Sequence, residues 1–293
     1  MDTVLQDKFP VKRLAAFSEG DFGGNPAGVV ICEPLPDASV MQAIAAQVGY
    51  SETAFAAPVE GAWRVRYFAP EIEVPFCGHA TIALGAALAI QQGDGLFHLR
   101  LNAAQITVEG HRTGSGLTAA LQSPSTHSEP AEPGLVRESL ALFGYGGEDL
   151  DARLPPAIAE AGARHLILAL KKRSRLAEMR YDLATGRDLM LANGFATINL
   201  VHAKGPGLFH ARNPFAAGGV YEDPATGAAA AALAGYLRDI GWAHGGAIEI
   251  VQGEDMGVPS RLHAEITPQR GASIRISGTV RVLATDHPIT SRA

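Results

Sequence analysis

The chain has 293 residues, 47% of them apolar and only 18% charged, and a formal net charge of −6. That length suits one large domain or two of moderate size, with ample material for a core. The mildly negative balance argues against a nucleic-acid binder, which concentrates basic surface, and no apolar run nears the roughly 20 residues a membrane span needs.

Two cysteines, Cys32 and Cys77, make no disulfide framework and fit a reducing compartment. The opening "MDTVLQDKFPVKRL" lacks the apolar core of a signal peptide. A cytoplasmic protein is therefore expected. The one basic run, Lys171, Lys172, Arg173 and Arg175, reads as a solvated loop or helix face rather than a binding patch.

In chain order, "RLAAF" reads as a strand, and the turn "GDFGGNPAGVVI" feeds a second strand ending near Cys32. "DASVMQAIAAQVG" predicts a helix with Asp37 at its N-cap, Val40, Ile44 and Val48 on one face, and Gly49 at its stop. "YSETAFAA" reads as extended and "WRVRYFAP" as an alternating strand. "VPFCGHATIALGAAL" is a glycine turn opening into a helix with no charge on any side, followed by the strands "LFHLRL" and "QITVEG". "SPSTHSEPAEPG", residues 123 to 134, has no apolar periodicity and reads as a linker. Beyond it, "HLILAL" predicts a strand, and "DLMLANGFATINLVHA" and "GLFHARNPF" hold further strand material. "EDPATGAAAAALAGYL" is a second turn opening into an uncharged helix, with "AIEIVQG", "SRLHAEIT" and "SIRISGTVRVL" as closing strands.

Each half thus runs through strands, a glycine turn, an uncharged helix and strands again. Gly78 and Gly227 mark equivalent points about half the chain apart, the pattern of an internal duplication. A helix apolar all round must be buried on all sides, and a sheet curled around it would achieve that. The expected fold is α+β: two pseudo-symmetric halves, each a curved, mostly antiparallel sheet forming an open barrel around a central helix. The halves are expected at 1–125 and 126–278, with 279–293 a C-terminal strand and tail that could return to the first half.

The first turn of a helix leaves backbone N–H groups without intrahelical partners, and the helix dipole adds positive character there. Glycine lets a ligand approach that backbone closely. "CGHAT" and "ATGAA" therefore each form an anion-receptive mouth, and two mouths converging on one cleft would hold a small carboxylate by backbone alone. The bland reading is that Gly78 and Gly227 merely allow close packing. Glu52 is the single carboxylate of "YSETAFAAP", suited to shuttle a proton, or else an exposed residue of an edge strand. His79, in the first helical turn, reads as a hydrogen-bond donor or relay. Asp223 is either a second acid–base group or an ordinary turn residue before Pro224. Its neighbour Glu222 is a second acid or a solvated side chain. No GxGxxG, Walker-type or GxSxG pattern occurs. No HxxxH or CxxC spacing occurs either, so neither a metal nor a cofactor is expected.

At these residues the sequence resembles the phenazine-biosynthesis PhzF-like isomerases, relatives of diaminopimelate epimerase. The resemblance runs from "FGGNPAGVV" through "SETAF", "RYFAPEIEVPFCGHAT", "FHARNPF" and "EDPATGAAAAAL" to "QGEDMGVPSRL" and "ISGTVRV". It implies a diaminopimelate epimerase-like fold, a site between the halves, a homodimer, and isomerisation by proton transfer without metal or cofactor. It also implies that Glu52, His79 and Asp223 are catalytic and that Gly78, Gly227, Ala228 and Asn25 bind a small carboxylate-bearing substrate. Two positions depart from the family pattern: Ala228 stands where a serine is frequent, and Val258 where a basic residue is. Pro224 occupies the place of the second thiol used by the epimerase relatives, which argues against two-thiol racemisation and leaves Cys77 a packing residue. The alternatives are a racemase or epimerase working with carboxylate bases, or a non-catalytic metabolite-binding protein on the same fold.

Overall fold

A computed structural model describes residues 8–114 and 116–284. The chain forms two compact units: one runs through Gln122 and resumes at Ser277, and the other spans Ser123–Ile276. The leader reading of residues 1–7, and residues 285–293 of the expected tail, lie outside the described residues.

The first unit contains β1 (Lys12–Ala16), β2 (Asn25–Ile31), α1 (Ala38–Val48), β3 (Thr53–Val59), β4 (Ala62–Phe68), β5 (Glu73–Val74), α2 (Gly78–Gln92), β6 (Gly95–Arg100), β7 (Gln105–Thr113) and β8 (Gly116–Gln122). Strand β2 runs parallel to β3, and β4 parallel to β6. Each of these pairs needs a crossover, supplied by α1 and α2. Hairpin pairings β1–β2, β3–β4, β6–β7 and β7–β8 complete the run. The last strand of the chain, β17 (Arg275–Val282), pairs with both β1 and β8. With it the sheet closes into a barrel of eight strands, leaving no free edge.

Helix α2 fills the interior of that barrel. Every residue from Gly78 to Ala89 is buried, which is why this helix carries no charge. It fits because β7 and α2 meet through glycines: a Cβ on Gly110 would strike the Gly85 carbonyl, and one on Gly85 would stand 2.5 Å from the Val108 side chain. Helix α1 packs Met41, Ile44, Ala45 and Val48 against Val30, Phe55 and Phe68. Its buried face is thus centred one residue from the expected one, and Val40 is only partly covered. Asp37 is the N-cap residue without a side-chain capping bond, and Gly49 closes the helix at φ 71°.

The second unit contains β9 (His127–Pro130), α3 (Pro133–Leu142), β10 (Ala157–Glu160), β11 (Arg164–Ala169), α4 (Arg173–Ala177), α5 (Leu183–Asn193), β12 (Thr197–Gly205), β13 (Leu208–Phe215), β14 (Val220–Asp223), α6 (Gly227–Asp239), β15 (Ala247–Gln252) and β16 (Ser260–Glu265). Its strands lie in the order β9-β10-β11-β12-β13-β15-β16, with β14 paired to β13 beside the main run. The moves of the first unit recur: a parallel pair, a hairpin partner, a short strand, a glycine turn, a buried helix, and a parallel return. The parallel pairs β11–β12 and β13–β15 correspond to β2–β3 and β4–β6. The internal duplication is therefore explicit in the topology.

Two expectations need correction. Residues 123 to 134 are not a linker: they hold β9, and Thr126 is buried, bonded to Arg238 and to the Ala272 carbonyl. "DLMLAN" is helical, the end of α5, which starts at an Asp182 cap accepting the Thr185 N–H at 2.8 Å. The basic run is a solvated face held by carboxylates, Arg173 by Asp255 at 2.9 Å and Arg175 by Asp149 at 3.0 Å. Among the described residues no helix is long and apolar enough to cross a membrane.

Candidate active site

In the first unit the mouth of α2 receives side chains from two directions. Ser51 and Glu52 directly precede β3, and the Gly28 N–H of the neighbouring parallel strand fixes the Glu52 carbonyl at 3.2 Å. Cys77 is the N-cap in extended conformation, and His79 is the second residue of the helix. The Thr81 hydroxyl donates back to the Cys77 carbonyl at 2.7 Å. That leaves Tyr67 to donate to Thr81, also at 2.7 Å. Full burial pushes the Tyr67 phenol well above its ordinary range, so it keeps the proton this chain requires. The mouth is thereby pinned to β4.

Glu52, His79 and Cys77 meet there. Glu52 Oε2 lies 3.3 Å from His79 Nε2, and both side chains are more than nine-tenths buried. The approach is close but not along a hydrogen-bond direction, and Glu52 Oε2 has no hydrogen-bond partner. Cys77 Sγ stands 3.4 Å from His79 Nδ1, and Ser51 Oγ 3.3 Å from His79 Nε2. Glu52 is thus not the exposed edge residue of the bland reading. The helix makes its first internal bond from Thr81 N–H to the Cys77 carbonyl, so the N–H groups of Gly78, His79 and Ala80 precede the intrahelical ladder. Asn25 is buried at the head of β2, opposite Ala16.

In the second unit, Asp223 ends β14 and is buried. Its Oδ2 accepts the Thr226 hydroxyl at 2.5 Å, and Thr226 is the N-cap of α6. Gln252, at the end of β15, ties the turn together. It donates to the Asp223 carbonyl at 2.6 Å and to Thr226 Oγ1 at 3.0 Å, and it accepts the Thr226 N–H at 3.2 Å. Gly227 opens the helix, buried, with the half-buried Ala228 beside it. Glu222 is neither a solvated neighbour nor a second acid at this mouth: it is locked in a buried two-point ion pair with Arg212 at 2.9 and 2.5 Å.

Three residues escaped the sequence reading. Ser51 sits beside the noticed Glu52 but looked like an ordinary turn hydroxyl. Gln252 lies at a strand position whose partners are 26 and 29 residues away in sequence, and Arg212 meets Glu222 only across the β13–β14 pairing. The metal exclusion rested on local spacing, and spacing could not show that Glu52 joins Cys77 and His79 from another strand.

A duplicated chain of sheets wrapped on buried helices has the diaminopimelate-epimerase-like fold, and its relatives are isomerases. More narrowly, the chain belongs to the family described as phenazine biosynthesis-like protein, whose profile matches residues 14–285. It is 32% identical to an uncharacterized isomerase of Mesorhizobium japonicum, with 94% of each chain covered. It is 31% identical to the trans-2,3-dihydro-3-hydroxyanthranilate isomerase of Pseudomonas aeruginosa, over 90% of this chain and 94% of that one. A solved structure described as a predicted epimerase of Pseudomonas aeruginosa superposes with a TM-score of 0.81 at 28% identity, covering 94% and 96% of the two chains.

Proposed function

We propose that this protein isomerises a small carboxylate-bearing metabolite by moving a proton, without metal or cofactor, with Glu52 as the group that takes the proton from carbon. The observation that carries the reading is the Glu52 carboxylate itself: buried, with Oε2 lacking a hydrogen-bond partner and 3.3 Å from His79 Nε2. A buried acceptor is costly to leave unmet. An oxygen left in this state beside an imidazole is suited to accept a proton and pass it on. His79 orients the substrate or relays the proton. Gly78 in the first unit and Gly227 and Ala228 in the second offer first-turn backbone to a substrate carboxylate, and Asn25 is assigned to substrate binding. Asp223, at the mouth of the second central helix, orients the substrate.

The relative from Pseudomonas aeruginosa is named for a dihydro-hydroxyanthranilate. Ala228 and Val258 differ from the residues frequent in that family, so the proposal commits to a carboxylate-bearing substrate class and not to that compound. The working form is a cytoplasmic homodimer. The experiment is a screen of small carboxylates for deuterium uptake from heavy water with the parent protein and Glu52→Gln. Uptake by the parent, lost in the variant, supports the reading. Uptake at the parent rate in the variant overturns it and makes Asp223 with His79 the pair to test.

A further inference from the structure

The trio at the α2 mouth has a second chemistry. We propose that Glu52, His79 and Cys77 form a binding site for a thiophilic divalent cation, with Zn²⁺ the best fit, and that the ion and proton transfer exclude one another.

The geometry carries this. One ligand atom from each of the three residues lies within 4.8 Å of the other two. Zinc bonds of about 2.0–2.3 Å at tetrahedral angles set neighbouring ligand atoms roughly 3.3–3.6 Å apart. His79 Nε2 stands 3.3 Å from Glu52 Oε2 and 3.9 Å from Cys77 Sγ, and turning the Cys77 side chain away from Nδ1, which it approaches at 3.4 Å, toward Nε2 brings all three onto one ion. Ser51 Oγ, 3.3 Å from the same nitrogen, borders the remaining corner. The second observation is independent of these distances. Glu52 is 7% exposed, yet its Oε2, turned into the cluster, has no hydrogen-bond partner. A metal ion satisfies such an oxygen outright.

The donor set selects the metal. A thiolate, an imidazole and one carboxylate suit Zn²⁺, whereas Mg²⁺ and Ca²⁺ favour all-oxygen shells. Binding releases the Cys77 thiol proton to solvent and forms one bond each from S, N and O to the ion. The bound ion takes the Glu52 and His79 lone pairs that proton transfer requires. Inhibition by zinc therefore rests on the function proposed above, while zinc binding does not. Among the described residues no other trio of ligating side chains comes together in this way.

The test uses the whole protein stripped with a chelator, with Co²⁺ as the spectroscopic stand-in and a chromophoric chelator to measure Zn²⁺ affinity. One ion per chain is expected, with a near-ultraviolet thiolate-to-cobalt charge-transfer band that Zn²⁺ displaces. Cys77→Ser should abolish the band, and Cys32→Ser should keep it. Glu52→Gln should keep the band and weaken zinc at least about tenfold, since even a lost outer partner costs roughly 10–100-fold in affinity. Zinc should also raise the melting temperature of the parent and not of Cys77→Ser, which circular dichroism should show to be folded. No band, a band that survives Cys77→Ser, or an affinity untouched by Glu52→Gln would overturn the site. Tight zinc with undiminished deuterium exchange would uphold the site and overturn the role assigned to Glu52.

Discussion

Gly110 of β7 lies directly over the carbonyl of Gly85 in the central helix of the first barrel. No side chain fits between them, so strand and helix approach backbone to backbone. Gly110→Ala must push the helix off the strand or distort the barrel wall. Overpacking of this kind costs typically 1–3 kcal/mol, and backbone on both sides leaves no soft side chain to yield. We expect a loss of about 3 kcal/mol, read from urea unfolding. Gly95→Ala is the control, because its Cβ would meet nothing.

Glu52→Gln keeps the shape at the α2 mouth and removes the proton acceptor. Removal of a general base typically costs about a hundredfold to ten-thousandfold in rate. Deuterium exchange into substrate should fall by that factor while substrate binding survives. Asp223→Asn should hurt less if Asp223 only orients the substrate, and comparably if it is a second acid–base group.

Gly78→Val and Gly227→Val test the backbone clasp. Each places a branched side chain where the proposed carboxylate meets first-turn N–H groups. Calorimetric titration with a turned-over carboxylate should show binding lost in both. Unchanged affinity in both would remove the clasp from the mechanism.

Arg212 and Glu222 are 9% and 3% exposed at the side chain, and the guanidinium also donates to the Ala177 carbonyl at 2.9 Å. Truncating one partner strands the other charge. Arg212→Met should cost about 3–5 kcal/mol, and Arg212→Met with Glu222→Leu should recover most of it. Chemical unfolding of the single and double variants checks this.

His165 of β11 is fully buried, with Nδ1 2.8 Å from Thr197 Oγ1 and Nε2 without a partner. Burial pushes its pKa down from 6.5 to about 3. The native state therefore refuses a proton that the unfolded chain accepts. This contribution to stability is intact above about pH 6.5 and declines as pH falls toward about 3. The slope is at most about 1.4 kcal/mol per pH unit. In His165→Gln, stability plotted from pH 6.5 down to 4 should fall less steeply than in the parent.

The two central helices were legible because each demanded total burial: no charge, abundant Ala, a glycine at the mouth. The repeat of strands around them followed from the same pattern. Residues 123 to 134 misled because β9 is held by backbone pairing and by Thr126, so its Pro, Ser and Glu content carries no strand signal. "DLMLAN" misled because a short apolar run fits helix and strand equally well. Asp182, six residues before that run begins at position 188, is the cap that starts the helix. At the site, the sequence singled out Glu52, His79 and Asp223 but could not decide whether Glu52 was buried. That depends on the parallel β2–β3 register, which binds Gly28 to the Glu52 carbonyl.

The first barrel is closed by β17, which joins β1 to β8 from the far side of an intervening unit of Ser123–Ile276. On a ribosome, β1 through β8 emerge early, but β1 and β8 must wait with unpaired edges until residues 275–282 appear. The second unit is made during that wait. Closing so long a loop is entropically costly and kinetically slow, and exposed strand edges invite pairing with other chains. Truncation just before β17 should therefore yield an aggregating nascent product rather than a shortened enzyme, even though every residue of both helix mouths would already have been made.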